Sequence, residues 1–234
     1  MKRINCTLLL FFFIVCNGFS QTAKQSSGWL MFLNSTRLND KWGLHLDVQL
    51  RTADQWDGVR NFLFRPGATY YINKNSNATI GYLLTNTYLK NDVTADITLT
   101  EHRIWEQYIF THKIKPVYAQ HRFRLEQRFM ETAGDDVFSQ RFRYFFRFML
   151  PLSNTKETFI KGPFIALQNE LFLNIQNKDK LNGKTFDQNR AYGAIGYRFS
   201  KSFDLEAGYL NQFVNGSASN TVNNVAQVAF YTRF

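Results

Sequence analysis

Apolar and polar residues alternate with a period of two along most of the chain, in segments of about ten residues separated by clusters of turn-forming residues. Because successive side chains of a strand point to opposite faces, each segment is predicted to form a strand with one apolar and one polar face. The clearest segment covers residues 116–131. Its apolar positions, which include one histidine, are Val117, Ala119, His121, Phe123, Leu125 and Phe129, and its polar positions are Gln120, Arg122, Arg124, Glu126 and Arg128.

Eleven such segments can be counted, beginning near residues 29, 42, 61, 78, 98, 116, 137, 159, 187, 203 and 221. The connections alternate in length, and we expect the short turns at 73–77, 113–116 and 200–202 to face the periplasm and the longer ones at 53–60, 90–97 and 177–186 to face outside. Bacterial single-chain barrels have an even number of strands. We therefore predict 10–12 strands and expect the count of eleven to be one too many or one too few. The segment 29–37 is the one whose assignment as a strand is in doubt.

The predicted fold class is all-β, a single antiparallel transmembrane β-barrel with an arginine-rich polar lumen. After residue 20 the chain has no run of 18 apolar residues, so transmembrane helices are not expected. A soluble β-sandwich or lipocalin-like barrel has the same period but buries its apolar face. Three features favour the membrane: the segments are long, the 24 Phe and 11 Tyr suit a lipid-facing band, and the polar faces carry charges of both signs.

The N-terminus is predicted to be a cleaved signal peptide covering residues 1–20. Lys2 and Arg3 precede an apolar run at residues 7–16, and a small residue stands at the expected cut near Ser20. An uncleaved anchor and a lipidated Cys16 are the alternatives. A short polar segment, 21–28, would then precede the barrel domain, 29–234, which we expect in the outer membrane of a Gram-negative bacterium.

Both cysteines, Cys6 and Cys16, lie within the predicted signal peptide. The exported chain would therefore have no disulfide, no thiolate metal site and no cysteine nucleophile.

Several sequence blocks resemble those of a known family. They are RPG at 65–67 with Tyr70, EHRIWEQ at 101–107, HRFRLEQRF at 121–129, RFRY at 141–144, NELFLN at 169–174, FDQNR at 186–190 with Gly196 and Tyr197, and GYLNQ at 208–212. In this combination and order the chain is similar to the domain of unknown function 2490 family, small outer-membrane barrel proteins of Bacteroidetes-type bacteria. The resemblance implies an outer-membrane barrel and no established activity. Phe234 resembles the aromatic C-terminal signal read by the barrel-assembly machinery, so that machinery and outer-membrane lipid are the expected partners.

Fourteen charged residues are expected to line the lumen if the apolar faces point to lipid. They are Arg51, Arg65, Glu101, Arg103, Arg122, Arg124, Glu126, Arg128, Arg141, Arg143, Arg147, Glu170, Arg190 and Glu206. This set could be a structural network that fills a narrow barrel, since Arg pairs bidentately with carboxylates. It could also form an anion-selective pore or a binding cavity for small anions. Ten arginines face four glutamates, so water, anions or further acids must compensate the excess charge.

An outer-membrane enzyme acting on lipid or lipopolysaccharide is the alternative function. The four histidines are His45, His102, His112 and His121, and His102 next to Glu101 is not a dyad because neighbouring strand residues face opposite ways. Asp135 and Asp136 are expected in a solvated outer loop, with cation binding or paired acid–base chemistry as the alternatives. No G-x-S-x-G, H-E-x-x-H or P-loop motif is present, so we predict no catalytic, cofactor or metal residue. Nucleic-acid binding is not expected, because the basic residues lie within alternating strands.

Overall fold

The computed structural model describes residues 22–90, 96–132, 134–153 and 158–234, and these form one closed β-barrel. The predicted signal peptide and both cysteines lie outside the described residues. The eleven strands are β1 Thr22–Arg37, β2 Trp42–Thr52, β3 Val59–Asn73, β4 Ser76–Leu89, β5 Ile97–Ile114, β6 Val117–Met130, β7 Val137–Pro151, β8 Gly162–Gln176, β9 Phe186–Ser200, β10 Phe203–Val214 and β11 Asn220–Arg233. Two single-turn 3₁₀ helices, Asp54–Trp56 and Lys178–Lys180, lie in connections.

Among the described residues, no helix has the length and hydrophobicity needed to cross a lipid bilayer.

Each strand pairs antiparallel with the next one in sequence, and β1 pairs in parallel with β11 to close the barrel. The expected even strand number is therefore wrong, and so is a wholly antiparallel sheet. In an up-and-down barrel with an odd number of strands the first and last must run in the same direction, so the closing pair is parallel. The doubted first segment is a full strand that begins at Thr22, ahead of the expected barrel start at residue 29.

The apolar rows of the strands point away from the barrel axis. In β2, Leu44 and Leu50 are exposed, whereas Asp47 and Gln49 between them are buried. The same alternation leaves Ile195 in β9 with 70% of its surface exposed. Every strand has at least one exposed large apolar residue, and the polar partners in the alternation are enclosed. The prediction that the apolar faces of the strands point outward is confirmed.

The connections divide the barrel into two rims. What we call the short-turn rim carries the turns 38–41, 74–75, 115–116 and 201–202, the longer connection 152–161, and the C-terminus. The opposite, long-loop rim carries the connections 53–58, 90–96, 131–136, 177–185 and 215–219, of which 91–95 and 133 lie outside the described residues. The predicted alternation of connection lengths is confirmed except at 152–161.

The last residues of the connection 152–161, from 158 onward, lie in the mouth of the barrel at the short-turn rim, and residues 154–157 lie outside the described part of the chain. The Phe159 side chain is only 2% exposed and packs edge-on against Phe164. The Phe159 backbone N–H donates to the Tyr118 hydroxyl at 3.1 Å, and the Arg198 guanidinium donates to the Phe159 carbonyl at 2.9 Å. These contacts hold Phe159 inside the barrel mouth and so narrow that opening.

Candidate functional site

The structure places all fourteen charged residues of the predicted lumen set inside the barrel. Twelve of them line two cavities of about 730 Å³ and about 180 Å³, and the other two, Arg124 and Glu126, are packed in the interior away from both linings. The larger cavity extends to the short-turn rim at Asn75 and Lys113, and the smaller one lies toward the long-loop rim. Four arginines line both cavities and form what we call the waist: Arg51, Arg65, Arg143 and Arg190.

Glu126 of β6 is the centre of the charge network. Its side chain is fully enclosed, and it accepts hydrogen bonds from Arg143 Nη1 at 2.5 Å and from Arg141 Nη2 at 2.7 Å. Arg141 Nε donates to the same carboxylate at 3.1 Å, and Arg103 Nη1 lies 3.5 Å away. One carboxylate therefore holds guanidinium groups from both neighbouring strands, β5 and β7, which is the kind of charge-assisted pairing that compensates the cost of burial.

Two further glutamates extend this network to either side. Glu170 of β8 accepts from Arg143 Nη2 at 2.6 Å and from Arg122 Nη2 at 2.7 Å. Glu101 of β5 accepts from Arg103 Nε at 2.7 Å and from Arg128 Nε at 2.6 Å. Arg143 thus bridges two acids, so the interior charges form a continuous set. On β10, Glu206 pairs with Arg147 near the short-turn rim.

Three acids of the interior were not in the predicted lumen set. Asp47 pairs with Arg65, and Asp204 accepts from Arg198 Nε at 2.8 Å. Both aspartates lie on the polar face of their strands, so the alternation could have identified them.

The third acid is Asp187. The alternation of β9 would place its side chain on the outer face, but its carboxylate accepts a hydrogen bond from Arg141 Nη1 at 3.0 Å. A register shift at Phe172 and Leu173 leaves Asp187 as an extra residue of the β8–β9 ladder, and such a bulge redirects a side chain. No sequence pattern predicts this bulge.

Positive charge exceeds negative charge in the described interior. With Arg198 and Arg233, which also line the larger cavity, it holds twelve arginines and seven carboxylates. The three additional acids reduce the excess expected from sequence but do not remove it. An enclosed charge without a partner is costly, so the remaining guanidinium groups require another source of negative charge.

Arg51 and Arg190 carry this unpaired charge most directly. Within the described part of the chain, neither has a carboxylate within 4.0 Å, and each donates its side-chain hydrogen bonds to a neutral glutamine, Gln49 or Gln188. Both guanidinium groups lie against the ring of Trp29, at 3.9 Å and 5.0 Å from its centroid. They are close enough for their charges to repel each other, although the ring faces attract each cation.

Part of the cavity wall is apolar, which the alternation did not predict. The largest interior apolar cluster comprises Trp29, Met149, Phe159, Phe164, Ala166, Tyr192, Ala194, Leu210 and Val225. Most of its members lie on β8–β11, and Trp29, Met149, Tyr192 and Leu210 line the larger cavity. Arg190 and Arg198 of β9 line that cavity as well, so its lining combines guanidinium groups with apolar side chains.

In the described residues no histidine has a carboxylate oxygen within 4.0 Å of its ring nitrogens. His102 points outward and contacts the Tyr82 hydroxyl, while Glu101 points inward, as the strand alternation predicted. His112 and His121 stack at 5.3 Å, and His112 also borders the larger cavity. His45 faces inward and packs on Trp105. The exposed pair Asp135 and Asp136 lies in the connection 131–136, and the described chain has no cluster of three or more potential metal ligands.

Comparison with known proteins gives one match. A family model described as a protein of unknown function, DUF2490, matches residues 26–223, which is most of the barrel. No curated protein and no solved structure matches the chain. The resemblance expected from the sequence blocks is thereby confirmed at the level of the family. The chain belongs to the DUF2490 family, whose function is unknown.

Proposed function

We propose that this protein spans the outer membrane of a Gram-negative bacterium and that its occluded, arginine-rich interior holds anions. The observation that carries the proposal is the inversion of the usual soluble pattern. Exposed residues such as Ile195 and Leu167 cover the outside, while Glu126 and Arg124 are at most 1% exposed inside. In water such an apolar exterior would be unfavourable, whereas hydrocarbon is its natural surrounding.

Aromatic residues near both rims support the membrane proposal. Trp42 and Tyr70 pack edge to face at 5.1 Å on the outer surface near the short-turn rim. Phe129 and Phe138 lie 5.1 Å apart near the long-loop rim. Aromatic girdles at the two interfaces are typical of transmembrane barrels.

In the proposed orientation the short-turn rim faces the periplasm. This agrees with the short periplasmic turns of known barrels. Phe234 then lies at the periplasmic rim, where its backbone N–H donates to the Ser35 carbonyl at 3.0 Å. That position is suitable for recognition of the last strand by the barrel-assembly machinery, the partner expected from the aromatic terminus.

The waist favours a binding interior over an open pore. The two cavities meet at four arginine side chains, and Trp105 and Glu126 fill the adjoining space with no exposed surface. A conducting pore needs a continuous water-filled path. The excess of guanidinium groups over carboxylates instead calls for anions that remain in the interior.

Reconstitution of the refolded protein in liposomes tests each part of this proposal. We expect the protein to float with the vesicles after a urea wash, and recovery in the urea-soluble fraction would refute membrane insertion. In planar bilayers we expect no stepwise current, and anion-selective steps would refute the occluded interior. Equilibrium dialysis with inorganic phosphate at constant ionic strength should show saturable binding, and a linear, non-saturable uptake would refute retention of anions.

A further inference from the structure

The mixed lining of the larger cavity, with guanidinium groups beside apolar side chains, indicates the class of molecule that would fill it. We infer that the cavity binds an amphipathic anion, with a carboxylate or phosphate head at Arg51 and Arg190 and an apolar chain along the inner face of β1. This inference rests on the proposed function and deepens it, because it specifies the anion that the interior holds.

The head-group site is formed by the deep end of the cavity. Arg51 and Arg190 line both cavities, have no carboxylate partner within 4.0 Å in the described chain, and repel each other. One anionic group placed between them would remove the repulsion and receive hydrogen bonds from two planar guanidinium forks. The other waist arginines are less available, because Arg65 and Arg143 already pair with Asp47 and Glu126.

The chain site runs from this deep end toward the short-turn rim. Trp29, Met31 and Leu33 follow each other at alternate positions of β1, and all three line the larger cavity. At a rise of about 3.3 Å per residue they form a stripe roughly 13 Å long. Leu210 and Met149 line the same cavity and widen the apolar surface. An apolar chain lying on this stripe would be removed from water while its head reaches the arginines.

The combination of the arginine pair with the apolar stripe argues against a neutral apolar molecule and against a small inorganic anion as the occupant. A neutral apolar molecule would leave Arg51 and Arg190 without an anionic partner within 4.0 Å. A small inorganic anion would satisfy the arginines but leave the stripe against water. The volume of about 730 Å³ is in the range of cavities that hold small organic ligands.

Equilibrium dialysis against the full-length protein in lipid nanodiscs, with empty nanodiscs subtracted, tests the inference. The probes are octanoate, acetate as the head alone, octanol as the uncharged chain, and inorganic phosphate as the reference for the proposed function. The test variant is R51Q/R190Q. The matched control R60Q/K74Q removes the same charge from two exposed residues outside the cavity lining.

We expect saturable octanoate binding that is about tenfold tighter than that of acetate or octanol. Because hydrogen bonds to charged groups are strong, R51Q/R190Q should weaken octanoate binding by about tenfold or more, and R60Q/K74Q should leave it unchanged. The variant Met31→Gln introduces a polar group into the stripe, so it should weaken octanoate binding without changing phosphate binding. This second variant keeps the test decisive if R51Q/R190Q does not fold.

The outcomes separate the inference from the proposed function. Equal affinity for octanol and octanoate would overturn the head-group site, and equal affinity for acetate and octanoate would overturn the chain site. Either result with saturable phosphate binding would leave the anion-holding interior intact. If neither phosphate nor octanoate binds to the inserted protein, the inference and the anion-holding interior are both wrong.

Discussion

Glu126 offers the most direct test of whether the interior network holds the barrel together. Glu126→Gln keeps the size of the side chain but removes its charge and replaces one acceptor oxygen with a donor NH₂. Arg141 now donates to Oε2 at 2.7 Å and Arg143 to Oε1 at 2.5 Å, so the new NH₂ would face the guanidinium donors of one or the other arginine. The substitution therefore breaks the pairing at Glu126 and leaves each enclosed guanidinium with one carboxylate fewer, since Arg143 keeps only Glu170 and Arg141 keeps only Asp187.

The structure allows the size of this effect to be worked out. Three hydrogen bonds from Arg141 and Arg143 reach Glu126, and each bond to a charged group contributes about 1.5–3 kcal/mol. Part of this sum is offset by the cost of removing the carboxylate and guanidinium groups from water. Removal of one partner of a buried ion pair costs about 3–5 kcal/mol in measured cases. We expect Glu126→Gln to lower the free energy of unfolding by that amount.

Urea unfolding of the liposome-inserted barrel, followed by tryptophan fluorescence, measures the effect. The matched control is Glu106→Gln on neighbouring β5. Glu106 lies at an outward-facing position of its strand, and its carboxylate accepts a hydrogen bond from Gln127 rather than from an arginine. The control should change the free energy of unfolding by less than about 1 kcal/mol. If the two variants unfold at the same urea concentration, the network around Glu126 does not stabilise the fold and the reasoning fails.

Two other predictions concern the outer surface and the packing of the wall. Ile195→Arg should lower the free energy of unfolding in liposomes by about 2–4 kcal/mol, because arginine is unfavourable on a lipid-facing surface; an effect as small as that of Ser217→Arg, in an exposed connection, would contradict lipid contact. Gly81→Ala should cost about 1–3 kcal/mol, because its methyl group would collide with the Trp105 ring. Gly193→Ala meets only a contact at 3.6 Å, so equal urea midpoints for the two alanine variants would argue against this packing.

The strands were predictable because their signal is local. Alternation with period two depends only on neighbouring residues, and ten of the eleven predicted starts lie within three residues of the observed ones. The exception is β1, whose first six residues, 22–27, contain Ala23 as their one apolar residue and show no alternation. Their pairing with β11 supplies the backbone hydrogen bonds that hold this part of the strand.

The pairing inside the barrel was not predictable in the same way. Arg143 lies opposite Arg124 in the β6–β7 register, yet its side chain reaches Glu126, two positions along the neighbouring strand. Such diagonal contacts depend on strand tilt, on side-chain length and on bulges such as the one that redirects Asp187.

By itself the sequence determined the all-β class, the positions of the strands and the separation of apolar from charged residues, because each follows from side-chain alternation along one strand. It left open which set faces inward, since a soluble barrel and a membrane barrel share the same period. Only the tertiary structure decided that the apolar rows lie outside, that β1 and β11 close the barrel in parallel, and that Arg51 and Arg190 meet at Trp29 without an acid. These features depend on contacts between residues far apart in the chain, which closure of the barrel brings together.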